Sequence, residues 1–335
     1  MFRRTSNLDW NAVREISIEY KHTISKLTPD IYAEMEGIAE GAELDILDIV
    51  ALNARSEIAL GLFSDGCTSL GWKLPAGDVL LAQNWDWTPR VKDNLAMVSI
   101  NQPDRPKIYM VTEAGLVGKI GFNSAGVGVC LNAIRAHPTD SCKLPIHVVL
   151  RVCLEALSVQ NAIDQIESLG SVASSQHILI ADSTGPLALE LSPVGNTYIP
   201  PNELGYVTHT NHFIKNRRVV EPPWVGVGSH ERLERLNQLM DELFMRGGPT
   251  DVSGAILRDR VFADTFNAPA SICCQENPEK PIETRSCTLF CIVIRFPSRT
   301  GDSEGGAPSA EVVWGRPGVD EESGVVLNMP WVTVA

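Results

Sequence analysis

Apolar residues recur at helical spacing through the first sixty positions, and the period then shortens. Trp10, Val13, Tyr20, Ile24 and Leu27 fall on one helical stripe, and Thr28-Pro29-Asp30 breaks the pattern before a second helix. Residues 44–58 form a third, dense in apolar side chains. From Cys67 onward the pattern is sheet-like. Gly77-Asp78 reads as a hairpin turn between strands 68–74 and 79–84, since glycine takes positive φ at little cost. Short strands follow at 108–112, 118–123 and 126–133. The stripe Val149, Val152, Cys153, Ala156 and Leu157 predicts a helix running to Leu169 and stopped by Gly170. Strands return at 177–182, 187–191 and 205–211. Leu233, Leu236, Met240, Leu243 and Phe244 mark an amphipathic helix with Ser229 as its N-cap. The last strands are 288–296 and 311–314, joined by a polar, glycine-rich segment, 297–310, of the kind that forms a mobile loop. With no repeat and no linker, strands clustered around two helical blocks predict a single α+β domain.

Composition narrows the function classes. A chain of 335 residues with 44% hydrophobic content can bury a large core. Its net charge of −13, with no basic cluster interleaved with aromatics, argues against nucleic-acid and anionic-membrane partners. The start lacks an apolar signal segment, no apolar run reaches membrane-spanning length, and Trp331-Val332-Thr333-Val334-Ala335 is not a Ser-Lys-Leu-type address. The expectation is a cytoplasmic protein. Eight cysteines then read as reduced thiols. Cys273-Cys274 and the Cys287/Cys291 pair have no histidine at ligand spacing, so no metal site is expected. Cys130, Cys153 and Cys291 lie in apolar runs and read as small core hydrophobes.

Cys67, in Ser64-Asp65-Gly66-Cys67-Thr68-Ser69, stands where helices give way to strands. A thiol there can attack the carbonyl of Gly66, and a residue without Cβ tolerates the bent backbone this needs. Cleavage at Gly66–Cys67 would leave a cysteine whose own α-amine, with an unperturbed pKa near 8, serves as base. A Cys–His pair is the competing scheme, with His209 and His212 in Thr208-His209-Thr210-Asn211-His212 as bases. No papain-like signature surrounds Cys67, and a buried strand thiol is the bland alternative.

The flanking residues are more specific than the Gly-Cys pair. They run Leu47-Asp48-Ile49-Val50-Ala51-Leu52-Asn53-Ala54-Arg55-Ser56-Glu57-Ile58, Asp65-Gly66-Cys67-Thr68, Gln83-Asn84-Trp85-Asp86, and Thr112-Glu113-Ala114-Gly115 through Gly121-Phe122-Asn123-Ser124-Ala125-Gly126. Thr208-His209-Thr210-Asn211-His212-Phe213 and Thr288-Leu289-Phe290 complete the set. In this order, from about residue 40 to the end, they resemble the acyl-coenzyme A:6-aminopenicillanic acid acyltransferase (isopenicillin N acyltransferase) family of N-terminal nucleophile (Ntn) hydrolases.

The resemblance implies a four-layer αββα sandwich, one domain over 1–335, self-processed into 1–66 and 67–335 that stay together as a heterodimer. It implies Cys67 as nucleophile and Asp86 as the carboxylate that holds the new amine. Asn211 is implied as the oxyanion-hole amide, and Asn132 as a second such amide by similarity to bile-salt hydrolases. Arg285 is implied as the arginine beside the thiol, while Arg55 and Glu57 read as a structural pair before the cut. Gln83 stands where bile-salt and ceramide hydrolases carry arginine, which shifts weight away from bile salts. The implied partners are a small acyl donor and an amine acceptor; no cofactor is expected, coenzyme A entering only as a thioester substrate. Three activities stay open: acyl transfer to an amine such as 6-aminopenicillanic acid, plain amide hydrolysis without coenzyme A, and an uncleaved binding member of the fold.

Overall fold

A computed structural model describes residues 2–59, 66–221, 228–245, 252–298 and 306–331. Its first part is helical: α1 (Phe2–Thr5), α2 (Trp10–Leu27), α3 (Pro29–Gly41), α4 (Ile46–Asn53) and α5 (Arg55–Ile58). Local chemistry sets these starts. Asp9 accepts the Ala12 N–H at the head of α2, Pro29 opens α3, and Asp45 accepts the Leu47 N–H at the head of α4. The single helix expected over 44–58 breaks at Ala54. There the Asn53 amide leaves the helix surface to donate to Gly115 O and to accept from Val117 N, tying this turn to the body of the protein.

Two antiparallel sheets follow. The first has the order β10–β1–β2–β11–β12–β13, from β1 (Cys67–Lys73), β2 (Val79–Trp87), β10 (Tyr206–His209), β11 (Cys287–Phe296), β12 (Ser309–Trp314) and β13 (Leu327–Met329). The second runs in chain order through β3 (Leu95–Ile100), β4 (Ile108–Glu113), β5 (Ile120–Asn123), β6 (Gly128–Ala133), β7 (Gln176–Asp182), β8 (Gly185–Leu191) and β9 (Thr197–Ile199). The sheets face each other closely: a Cβ added at Gly71 of β1 would lie 2.4 Å from the Cβ of Pro186 in β8. Helices α6 (Ile146–Glu155) and α7 (Val159–Ser168) cover the outer face of the second sheet. Helices α8 (Ser229–Met245) and α9 (Gly254–Leu257) cover the first, through Leu236, Met240 and Leu257 on Leu70, Trp72 and Leu80. The layers are α, β, β, α, as expected, in an α+β protein.

Two further details differ from the sequence reading. The helix expected from Val149 to Leu169 is two helices, because Ser158 accepts the Asn161 N–H and starts α7 afresh. Strands β3, β9 and β13 were not foreseen; all are short, half-exposed or terminal in their sheets. Of the polar segment 297–310, residues 299–305 lie outside the described residues, as does Asp65 before the Gly66–Cys67 bond. Among the described residues no helix is long and apolar enough to cross a membrane, and no group of His, Cys, Asp and Glu side chains is placed to hold a metal ion.

Candidate active site

Cys67 is the first residue of β1, an interior strand paired on both sides. It stands opposite Trp85 of β2, while Ser69 two residues on stands opposite His209 of β10. The nucleophile candidate is therefore buried at a strand end between the two sheets. Its backbone N–H donates to the side-chain oxygen of Asn211 at 2.8 Å. Asn211 lies two residues beyond β10, where its own N–H donates to Ser229 Oγ at the start of α8 and its amide NH2 donates to Ala133 O, both at 2.9 Å. One side chain thus supplies an acceptor for the Cys67 nitrogen and an amide donor beside it.

Asp86 ends up next to the bond before Cys67. A Cβ built on Gly66 would meet Asp86 Oδ2 at 2.8 Å. The other carboxylate oxygen accepts from the Thr288 hydroxyl at 2.6 Å, and that hydroxyl accepts from Cys274 N at 2.9 Å. Thr288 faces Asp86 because β11 pairs β2 with a register shift between Thr288 and Phe290. Thr288 also lines a cavity of about 660 Å³ with Pro89, Lys92, Gln275, Cys287 and Arg316.

Asn132, on β6, comes within reach of β1. Its side-chain oxygen accepts from Ser69 Oγ at 2.7 Å and from His177 Nδ1 at 2.9 Å. Gln83 spans the sheets and clasps both backbone groups of Leu131, donating to its C=O at 2.6 Å and accepting from its N–H at 3.1 Å. Gln83 thereby joins β2 to β6.

The arginine at this site is Arg232, not Arg285. Arg232, in the first turn of α8, is 2% exposed. It donates to Cys67 O at 2.6 Å, to Thr68 Oγ1 at 3.0 Å and to Asn211 Oδ1 at 2.8 Å. Arg285 instead closes its own loop, donating to Lys280 O at 2.9 Å and to Pro278 O at 2.8 Å. The sequence did carry a signal for Arg232. It stands four residues before Leu236, on the stripe of α8 that meets the sheet, whereas a solvated arginine belongs on the opposite face.

Both histidines of the competing scheme are engaged with other groups. His209 is bound through Nε2 to Glu190 at 2.9 Å and through Nδ1 to Thr210 O at 2.8 Å, and His212 Nδ1 meets Ser229 Oγ at 2.8 Å. Burial pushes up the thiols of Cys130, Cys153, Cys273, Cys274, Cys287 and Cys291; the negative charge of Asp86 adds to this at Cys273, Cys274 and Cys287. Those six are held in the neutral thiol form at ordinary pH.

A second buried polar group joins the first helices to the body. Arg55 of α5 makes a two-pronged ion pair with Glu113, 2.6 Å at each prong, and its guanidinium lies 5.4 Å from the Trp87 ring centroid. Lys119 donates to Glu113 at 3.1 Å and sits 4.1 Å from the Trp85 ring centroid. Burial alone would raise the Glu113 carboxyl, but Arg55 and Lys119 hold it well below the usual carboxylate range. Glu57 accepts from Ile146 N at 3.0 Å and from Ser174 Oγ at 2.7 Å, and burial raises its pKa.

The sequence model of the acyl-coenzyme A:6-aminopenicillanic acid acyl-transferase family matches residues 72–305. A relative in Emericella nidulans, the acyl-coenzyme A:6-aminopenicillanic-acid-acyltransferase 40 kDa form, is 35% identical over 297 residues, 87% of this chain and 79% of the relative. The chain belongs to this family. It is an enzyme of the acyltransferase kind. Among solved structures it is similar to a Caenorhabditis elegans ortholog of N-acylethanolamine-hydrolyzing acid amidase, with a TM-score of 0.48 and 16% identity over 68% of this chain and 92% of that one. It is also similar to a variant of the conjugated bile acid hydrolase of Clostridium perfringens, with a TM-score of 0.47 and 12% identity over 79% and 97% of the two chains. Penicillin V acylase from Agrobacterium tumefaciens gives a TM-score of 0.36 and 14% identity over 76% and 93%.

Proposed function

We propose that this chain cuts itself between Gly66 and Cys67 and then carries acyl groups on the Cys67 thiol. The observation that carries the reading is the convergence of Asn211, Arg232 and Asp86 on the Gly66–Cys67 junction. In the cut, the Cys67 sulfur adds to the Gly66 carbonyl carbon and the C–N bond breaks as the Cys67 nitrogen gains a proton. Water then hydrolyses the thioester, leaving a Gly66 carboxylate and a Cys67 amine. The new amine already has the Asn211 side-chain oxygen as acceptor, with Asp86 adjacent.

In turnover the amine takes the thiol proton and the thiolate attacks the carbonyl of an acyl-coenzyme A or an amide. The amide NH2 groups of Asn211 and Asn132 suit the oxyanion, because a carboxamide donates without titrating. The leaving thiol or amine takes the proton away. An amine of the 6-aminopenicillanic acid type, or water, then attacks the acyl-enzyme, forms the new amide or acid, and restores the thiol. Coenzyme A acts only as substrate; fragments 1–66 and 67–335 work as a heterodimer.

The test is a denaturing intact-mass spectrum of the purified protein beside Cys67→Ala. Wild type should give two chains, ending at Gly66 and starting at Cys67, and the variant one. An uncut wild type, or a Cys67→Ala protein that still cleaves, overturns the reading. Products from phenylacetyl-coenzyme A with and without 6-aminopenicillanic acid then distinguish transfer from hydrolysis.

A further inference from the structure

Behind the two amides lies a buried polar chain that neither self-cutting nor acyl transfer, as set out above, makes use of. Ser69, Asn132, His177, Glu190, His209 and Asn211 are all fully buried. The rings of His177 and His209 stack with centroids 3.5 Å apart and planes within 8°. His177 bonds Asn132, and His209 bonds the carbonyl of Thr210, the residue before Asn211. Glu190 receives His209 and also the N–H groups of Ile214, Lys215 and Asn216, so one carboxylate shapes the loop that presents Asn211.

We propose that Ser69, His177 and the His209–Glu190 pair are positioning residues that aim the Asn132 and Asn211 amides at the reacting carbonyl. This rests on the Cys67 reading above. Two donors saturate the Asn132 oxygen, which fixes the amide plane and the direction of its NH2. That NH2 finds no acceptor among the described residues although it is buried. Leaving a buried donor unmet is costly, so its retention marks a group kept for another partner. The imidazole chemistry agrees. Burial, and then the neighbouring His209, lower the pKa of His177, so its ring is neutral and has one N–H. Asn132 needs that proton on Nδ1, and Nε2 is the ring nitrogen with no partner among the described residues.

Acylation and alkylation of Cys67 separate this role from mere support. p-Nitrophenyl acetate forms a tetrahedral oxyanion on its way to the acyl-enzyme; iodoacetamide reacts by displacement and forms none. Both are followed on the cut protein by peptide mass at Cys67. His177→Phe keeps a ring for the stack but loses the donor, His177→Asn can restore a donor near the Nδ1 position, and Ser69→Ala removes the other donor with little change in volume. His177→Phe and Ser69→Ala should slow acylation by about ten- to a hundredfold, short of the loss of a whole oxyanion donor. Alkylation should stay within about twofold, and His177→Asn should recover most of the acylation. Parallel loss of both reactions, unchanged acylation, or failure of His177→Asn to recover overturns the positioning role. A wild-type protein that stays uncut and is acylated nowhere overturns the nucleophile reading, and this role with it.

Discussion

The side-chain oxygen of Asn211 accepts the backbone N–H of Cys67 at 2.8 Å across 144 positions of sequence. That contact places an acceptor where a free amine would stand once the preceding bond is cut. The same oxygen receives Arg232 Nη2, so it answers two donors in a dry environment. Asn211→Ala would strand both, at about 1–3 kcal/mol for each unmet buried group. It would also remove an oxyanion donor, which costs on the order of a hundredfold in rate. The expected outcome is a lower thermal midpoint and a self-cut slowed at least about tenfold, read by intact mass over time. A variant that is destabilised but cuts at the wild-type rate would confine Asn211 to structure.

Arg232 and Arg285 make opposite predictions. Arg232 spreads its guanidinium over Cys67 O, Thr68 Oγ1 and Asn211 Oδ1, a fork that a lysine ammonium does not match. Arg232→Lys should slow processing by about tenfold or more, since charge-assisted buried bonds are each worth about 1.5–3 kcal/mol. Arg285 holds two carbonyls of its own loop, and Arg285→Lys should process within about twofold of wild type, the range of ordinary surface substitutions. A time course on the two variants in parallel decides between them.

How far the site was legible follows from the same contrast. Cys67 could be singled out from its own setting after Gly66, whereas Asp86, Asn132 and Asn211 were implied by the resemblance of the motifs around them to the family. Turn signals at Gly77-Asp78 and Ser124-Ala125-Gly126 between short apolar runs told which stretches around β1, β2 and β6 were strands. Arg232 was passed over although it shares the buried stripe of Leu236, because its contact spans 165 positions and its neighbours Glu231, Glu234 and Arg235 read as a solvated face. The break between α6 and α7 was hidden for a local reason: one serine hydroxyl outweighs an apolar stripe that runs through it. Strand β3 is a half-exposed edge strand paired to β4 alone, a tertiary placement that its apolar residues do not by themselves encode.

Gly66 has a side-chain requirement that can be tested directly. Its missing Cβ is the space in which Asp86 Oδ2 sits, at 2.8 Å, and Thr288 holds that carboxylate from the other side. Gly66→Ala should therefore displace either Asp86 or the bond to be cut, and slow the self-cut without unfolding the protein. Gly37, in α3, has nothing within 4 Å of its would-be Cβ. Gly37→Ala should process normally and gain about 0.4–1 kcal/mol from lost freedom in the unfolded chain. Urea midpoints and intact-mass time courses on the two variants give the comparison.

The last prediction concerns what holds residues 1–66 after a cut. Arg55 and Glu113 lie on opposite sides of it in sequence and are bonded at 2.6 Å through both prongs. Arg55→Met leaves Glu113 buried with Lys119 alone, and breaking a buried pair in this way costs about 3–5 kcal/mol. Arg55→Met with Glu113→Leu removes the stranded charge and should recover much of the loss. The pH dependence follows from the sign of the shift: the folded Glu113 pKa lies below its unfolded value, near 4.3. Its contribution is present above that value and fades only as pH falls toward the depressed folded one. In wild type the urea midpoint should therefore hold from neutrality to about pH 5 as far as this pair is concerned, and decline below about pH 4. In Arg55→Met/Glu113→Leu the decline should be shallower. Equal slopes in the two proteins would show that this pair does not set the acid limit.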